Sequence, residues 1–433
     1  MSQAGQGEAN PSPSPKPDSL FRSADFLKFW TGQSISVFGS QFSGVALPFV
    51  ALGLGATPLQ FGILGSLGTL AFLLLSLLVG VYVDRHRRRV IMIYADLGRS
   101  FMLALVPLGF LLGFLGIGFL YVVAFAAGVL TVFFEISYQS YIPSLVDRTQ
   151  IVDANGKLEA TRAISSSAGP PVAGAVVQIL TAPLALIGDT LGYLTSAVSL
   201  SLIRKPEGEI QKTPRSTLKD IREGLSIVLG DRRLWQIAAC TSTANLFSGG
   251  IFAIIVPYLV GTFGISSVQF GVLLSSAAVG SVIGALVSAR VADRIGVGPS
   301  IILNAFLFGL PSVGLYIANG SLAWVYVGAS LFITGYAAVA YNVNQVSYRQ
   351  ALVPRALLGR MNATMRFIVT GSVPIGSLVG GLLAEAFGYR GAIGIMVGGL
   401  SFAFLWVLVS PLRGVRRMPA PDEVLSMETS SAP

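Results

Sequence analysis

The stretch Gly80-Val81-Tyr82-Val83-Asp84-Arg85-His86-Arg87-Arg88-Arg89-Val90 decides the fold. Upstream of it, 55 consecutive residues between Lys28 and Asp84 carry no Asp, Glu, Lys or Arg. As helix that run measures about 80 Å, against a bilayer hydrocarbon layer of about 30 Å. It therefore folds back once, and Gly53-Leu54-Gly55-Ala56-Thr57-Pro58 supplies the turn. Downstream the chain is apolar again from Val90. The charged stretch is thus a short, water-exposed, basic turn between the second and third membrane spans. Because Lys and Arg of short loops stay on the cytoplasmic side, it also sets the orientation.

Composition agrees. Hydrophobic residues make up 53% of the 433 and charged residues 11%, with a mean hydropathy of +0.72. Soluble domains carry about a quarter charged residues, so this is an all-α polytopic membrane protein. The net charge of +9 sits in short loops on one side, which argues for topology and against nucleic acid. The single cysteine, Cys240, excludes an internal disulfide; the single histidine, His86, lies in the basic loop, which leaves no His-based metal site and argues against nucleophile–His catalysis. No Gly-rich nucleotide loop with Lys is present. Neither an enzyme nor a cofactor is expected. Ser2 to Ser19, rich in Pro, Ser and Gly, reads as part of a disordered tail over 1–24, with no cleavable signal before the first span.

Twelve spans are expected near 29–52, 58–83, 90–113, 116–141, 156–180, 183–203, 233–261, 266–289, 298–318, 321–347, 360–387 and 390–412. Turns near 55, 115, 182, 264 and 319 hold no Lys or Arg. The other side holds Arg85 to Arg89, Arg148, Lys157, eight basic residues from Arg204 to Arg233, Arg290, Arg294, Arg349, Arg355 and Arg360, with Arg390 as the exception. Both termini are then cytoplasmic. The connection 204–232 separates a bundle at 25–203 from one at 233–412, leaving a tail at 413–433. Within the connection, Leu218, Ile221, Leu225 and Val228 mark one face of an amphipathic helix.

The halves are repeats. Pro48, Gln60-Phe61-Gly62 and Asp84-Arg85 recur 209 residues later as Pro257, Gln269-Phe270-Gly271 and Asp293-Arg294. Val146-x-Arg148, Asn155, Gly169 and Gly174 recur after 207 as Val353-x-Arg355, Asn362, Gly376 and Gly381. Parallel six-span repeats are a transporter architecture, with the substrate site near the midplane between them.

Gly80-x-x-x-Asp84-Arg85-x-x-Arg88-Arg89 resembles the signature loop of the major facilitator superfamily, departing from it by carrying Arg87 where a small residue is common. The resemblance covers residues 20–412. Within that superfamily the chain is similar to the exporter branch of enterobactin exporters, macrolide efflux proteins and Tap-type multidrug pumps. The residues that carry this are Trp30-Thr31-Gly32-Gln33 with Ala46-Leu47-Pro48, Pro354-x-x-Leu357-Leu358-Gly359-Arg360-Met361-Asn362, and Gly169-Pro170-Pro171-Val172-Ala173-Gly174. The last resembles the antiporter Gly-Pro motif, with Ala173 in place of a second Gly. The resemblance implies a fold of two pseudo-symmetric six-helix bundles and a gate involving Gly80, Asp84, Arg85, Arg88, Asp293, Arg294, Gly169, Pro170, Gly174 and Arg360. It implies a multi-pass protein of the bacterial cytoplasmic (inner) membrane, expected to work as a monomer.

Ionisable residues at membrane depth point to coupling. Glu135, Asp189 and Asp96 are the proton-coupling candidates. Asp96 is expected to pair with Arg99, three residues on, and Glu135 has the alternative of pairing with Arg99 or an Arg of 85–89. In this superfamily spans one, four, seven and ten line the cavity. Its walls here would be Gln41, Phe42, Phe134, Tyr138, Asn245, Phe247, Phe252, Tyr341, Asn342 and Gln345, with Glu135 and Asn342 facing one another. Aromatic rings with a few amides suit large amphipathic molecules, and the acids favour cationic ones. The expected function is export of a lipophilic or amphipathic small molecule by proton antiport. The alternative is an uncoupled facilitator or lipid flippase of the same fold.

Overall fold

The computed structural model of the chain describes residues 20–147, 150–207, 217–354 and 357–418. Arg148, Arg355, residues 1–19 and the end of the C-terminal tail lie outside these. The helices are α1 (Ala24–Gly53), α2 (Pro58–Val83), α3 (Arg88–Leu111), α4 (Ile117–Leu145), α5 (Ile151–Leu180), α6 (Ala182–Ala185) and α7 (Ile187–Ser201). After the link helix α8 (Thr217–Gly230) come α9 (Arg232–Phe263), α10 (Ser267–Ile295), α11 (Val297–Gly309), α12 (Val313–Ile317), α13 (Ala323–Leu352), α14 (Leu358–Phe402) and α15 (Leu405–Leu408).

These helices make twelve spans. Eleven described helical stretches are long and apolar enough to cross a membrane. One of them, Leu358–Leu408, has 51 residues, far more than one crossing needs. Its helix breaks at Gly388, whose φ of 71° is a left-handed value that glycine adopts without strain, so it folds back there into two spans. The sixth span divides at Leu186 into α6 and α7. The ninth divides at a 3-10 turn, Leu310–Ser312, where Pro311 lacks the donor that an unbroken helix needs.

Several helices run further than the sequence boundaries. Helix α4 continues to Leu145, α5 begins at Ile151 and α13 reaches Leu352. Arg349 is therefore a buried residue of the last turn of α13 rather than a loop residue. The expected tails are also shorter. Leu20 is buried, Ser23 caps α1, and the backbone of Arg416 and Val415 accepts from Val297 and Gly298 at the start of α11.

The repeated Gln-Phe-Gly triplet shows how sequence becomes assembly here. Gln60 and Gln269 close capping boxes with Thr57 and Ser266 at the starts of α2 and α10. Phe61 and Phe270 are buried in the main apolar core. Gly62 and Gly271 then let the halves touch. A Cβ on Gly62 would lie 2.7 Å from the Ser377 carbonyl and 2.8 Å from the Gly381 Cα, and one on Gly271 would overlap the Pro170 carbonyl. The Ser267 hydroxyl donates to the Gly174 carbonyl (2.9 Å) and Ser275 to the Ser167 carbonyl (2.6 Å). Glu385 accepts from Leu59 N at the positive start of α2 (3.2 Å). The halves thus meet along α2–α14 and α5–α10, as a pseudo-twofold requires.

All these contacts lie toward the end carrying the turns at 55, 181, 264 and 388. There one apolar core runs through both halves, from Val50 and Phe61 to Ile254, Phe270 and Ala384. At the basic end the core is split. Leu20, Phe29, Met92, Tyr141 and Ile203 pack in the first half, and Ile227, Leu234, Tyr348, Met361 and Leu412 in the second. The molecule is closed at its uncharged end and divided at its basic end.

Candidate functional site

In the first half, α1, α3, α4 and α7 bury a charged network. Asp96 and Asp189 are fully buried and Arg99 is 5% exposed. Asp96 sits about two turns into α3, so Arg99, three residues on, lies on the same face and pairs with it. The Arg99 guanidinium is held between the rings of Phe134 and Tyr193, each 4.1 Å away. Asp189 of α7 accepts from the Ser43 hydroxyl of α1, with Tyr193 and Arg99 beside it. Gln33 of α1 donates to Ser196 (2.7 Å), which stands next to Asp96. One oxygen of each acid and Arg99 Nε have no hydrogen-bond partner. The expected Asp96–Arg99 pair forms. Asp189 joins it, although no cation is near it in sequence.

Glu135 is placed elsewhere. Half-buried on α4, it lines a cavity of about 360 Å³ with Tyr138, Gln139, Asn155 and Arg162, between α4 and α5. Among the described residues it makes no salt bridge, so the alternative pairing with Arg99 or the 85–89 turn does not form. No hydrogen bond joins it to Asn342, whose side chain accepts from Gln345 (2.9 Å).

Of the other expected wall residues, several are committed to packing. Phe42, Phe134, Tyr341 and Gln345 are buried. Gln41 covers Gly169, Phe247 covers Gly399, and Asn245 donates to the Val369 carbonyl (3.0 Å). Tyr341 shares a hydrogen bond with Thr241 (2.9 Å). Tyr138, half-buried, and Phe252 and Asn342, exposed, remain accessible. The rings of Phe29, Tyr138 and Phe134 stack in series, linking the Glu135 cavity to Arg99.

The gating candidates separate by position. Gly174 and Pro170 lie in the closed contact between halves, whereas Gly169 packs within the first half. Gly80 has open space around it, and Asp84, Arg85, Asp293 and Arg294 are exposed at the divided end. Arg360 pairs with Glu223 of α8 (2.8 Å), which fastens the link helix to the second half.

Sequence reading missed the acids that organise the basic turn. Glu207 accepts from Arg88 N (2.8 Å) and Arg89 N (2.7 Å), capping α3, whose own N-cap residue Arg87 has no capping side chain. Arg89 donates to the Leu200 and Ser201 carbonyls (2.7 Å each). Asp25 accepts from Arg204 N and Lys205 N (3.2 and 2.9 Å). Residues 204–207 are thus held by the first half. Pro206-Glu207 was the available signal, an acid just past the sixth span.

Twelve apolar spans in two pseudo-symmetric halves, with a buried acid–arginine network inside the first, define a multi-pass membrane transporter. The Major Facilitator Superfamily profile matches residues 29–344 and 238–428, and the chain belongs to that superfamily. It is 22% identical to macrolide efflux protein A of Streptococcus pyogenes over 367 residues, 84% of this chain and 90% of that protein. It is 25% identical to the enterobactin exporter EntS of Escherichia coli over 410 residues, 91% of this chain and 94% of the relative. Its fold superposes on a bacterial homologue of the iron transporter ferroportin in an inward-facing state with a TM-score of 0.73, at 16% identity, covering 90% of this chain and 98% of that one.

Proposed function

We propose that the chain is a secondary exporter that moves an amphipathic small molecule out of the cell by alternating access and takes up protons in exchange. The observation that carries this is the Asp96–Arg99–Asp189 network. Two acids around one cation leave an unbalanced negative charge away from water, and a proton removes it. The acids sit on α3 and α7, and their partners on α1 and α4. Protonation would therefore change how α1 and α4 pack, and these spans face the cleft.

In this reading the basic end is cytoplasmic, in a bacterial inner membrane, and the divided basic end is an inward-open state. Residues 25–203 and 233–412 are the two rocking bodies, and 204–232 is the link. Asp84, Arg85, Arg88, Asp293 and Arg294 then meet the opposite half when the basic end closes. Opening of the other end separates Gly62 from Gly381 and Gly174 from Ser267. The names of the relatives, a macrolide efflux protein and an enterobactin exporter, support export of large organic molecules.

The test uses inside-out membrane vesicles and a panel of fluorescent amphipathic dyes, with a proton gradient applied and then collapsed. Uptake driven by the gradient in the wild type, and lost in Asp189→Asn, is expected. Uptake indifferent to the gradient and to Asp189→Asn would replace antiport with an uncoupled facilitator or flippase.

A further inference from the structure

The cavity between α4 and α5 has a chemistry that the buried network does not. Glu135 lies about 15 Å along α4 from its basic end, and Arg162 about 16 Å along α5 from its first residue. Each helix is about 44 Å long, so both positions lie in the part of the spans nearer the basic end. The two helices thus present a carboxylate and a guanidinium to one cavity at matching depth. Neither charge is neutralised well. Glu135 has no salt bridge among the described residues. Arg162 reaches Glu159 only at 3.9 Å, with side chains 53% and 75% exposed, an arrangement of small value. Gln139 and Asn155 add amide groups to the walls, and Tyr138 adds a ring backed by Phe134 and Phe29.

The fold does not require these charges. At the 207-residue repeat, Glu135, Gln139 and Arg162 correspond to Asn342, Val346 and Val369. Opposite charges facing one cavity at matching depth, in one half only, suit a ligand that satisfies both. A cation alone leaves Arg162 unmatched, and an anion alone leaves Glu135. The volume of about 360 Å³ falls within the range of small-molecule pockets.

We infer that this cavity binds a zwitterionic amphiphile, with its cationic group beside Glu135, its acidic group on Arg162 and its apolar body against Tyr138. The inference rests on the chain being a transporter of amphipathic molecules and makes Glu135 a substrate residue. Because Phe134, stacked on Tyr138, also covers Arg99, the substrate and the buried acids share one aromatic partition.

The experiment is equilibrium binding to the purified full-length protein in detergent, read by fluorescence anisotropy. The probes are three xanthene dyes: rhodamine B (zwitterionic), its cationic relative rhodamine 6G, and eosin (anionic). Rhodamine B is expected to bind about tenfold more tightly than the other two, the scale of one charge-assisted contact. Glu135→Gln weakens both rhodamines and spares eosin. Arg162→Gln weakens rhodamine B and eosin and spares rhodamine 6G. The double exchange Glu135→Arg with Arg162→Glu restores the preference for the zwitterion, which a structural role for either residue would not do. An unchanged rank order in both single variants, or no binding of any dye, overturns the proposal. Binding needs no gradient, so an uncoupled transporter passes this test while failing the vesicle test.

Discussion

The two halves share a fold but not an interior. Counted from their first residues, α3 and α11 place Asp96 and Arg99 opposite Ala305 and Phe308, and the 207-residue repeat sets Asp189 against Met396. Where the first half buries two acids and a guanidinium, the second buries amides and hydroxyls. Asn304 donates to the Ser300 carbonyl (2.8 Å), and Asn344 to the Ser300 hydroxyl (3.1 Å) and the Ala340 carbonyl (2.9 Å). The buried cation of the second half, Arg349, has no carboxylate within ion-pair distance among the described residues. The fold thus needs polar pairing at these depths but not charge. The buried carboxylates and their arginine in the first half are an addition that serves something other than assembly.

The sharpest way to break this comparison is to remove the cation. Arg99→Leu leaves two uncompensated acids and is expected to destabilise the protein by about 3–5 kcal/mol, while Asp96→Leu with Arg99→Leu recovers much of the loss. Thermal unfolding of the purified variants measures both. Equal losses in the single and double variants would show that the network is not electrostatically coupled. Next in size is Asp189→Asn, for which gradient-driven transport should fall by about 100-fold, the scale of losing a positioned proton-transfer group. Met396→Leu, at the matching place, should leave transport within about twofold, as volume-conserving core exchanges do.

A smaller effect tests the symmetric contact. Gly174→Leu places a side chain on the Ser267 carbonyl and costs the closed contact about 1–3 kcal/mol. The population should shift toward opening of the uncharged end, read as longer spin-label distances between α5 and α10. Gly62→Leu should do the same between α2 and α14, and different responses would show that the halves do not move as equals.

The smallest effect concerns Asp231, which caps α9 at the basic end. Burial alone would raise its carboxyl, but hydrogen bonds from the Arg233 side chain and from the backbone of Leu234 and Arg233 outweigh that and hold it below the usual range. Its contribution is therefore present above the unfolded value near pH 4 and is lost as pH falls through the lower folded value. Asp231→Ala should cost about 1 kcal/mol at pH 7. That difference should fade in acid unfolding, and a gap that persists at low pH would mean the cap acts by packing.

Much of the fold was legible because membrane spans are long and their loops charged. The 55-residue uncharged run forced the first turn, and the Gln-Phe-Gly repeat gave the pseudo-symmetry before its capping boxes were visible. The Asp96–Arg99 pair followed from helical spacing. What stayed hidden was contact across sequence. Asp189 meets Ser43 from 146 positions away, and no local pattern reports that. The aromatic wall residues were overread, because a buried ring such as Phe42 and an accessible one such as Tyr138 look alike in sequence. The Glu135 cavity needed both α4 and α5 extended beyond their hydropathy limits, which polar residues such as Gln139 and Asn155 obscure.

The cap on α3 orders the life of the chain. The start of this helix waits, uncapped, through the synthesis of three more spans until Glu207 leaves the ribosome. The signature turn is therefore finished only when the first half is complete, and the first half ends in a physical sense at Glu207. Separately expressed halves cut before Arg204 would lack that clasp, and the same halves cut after Glu207 would carry it.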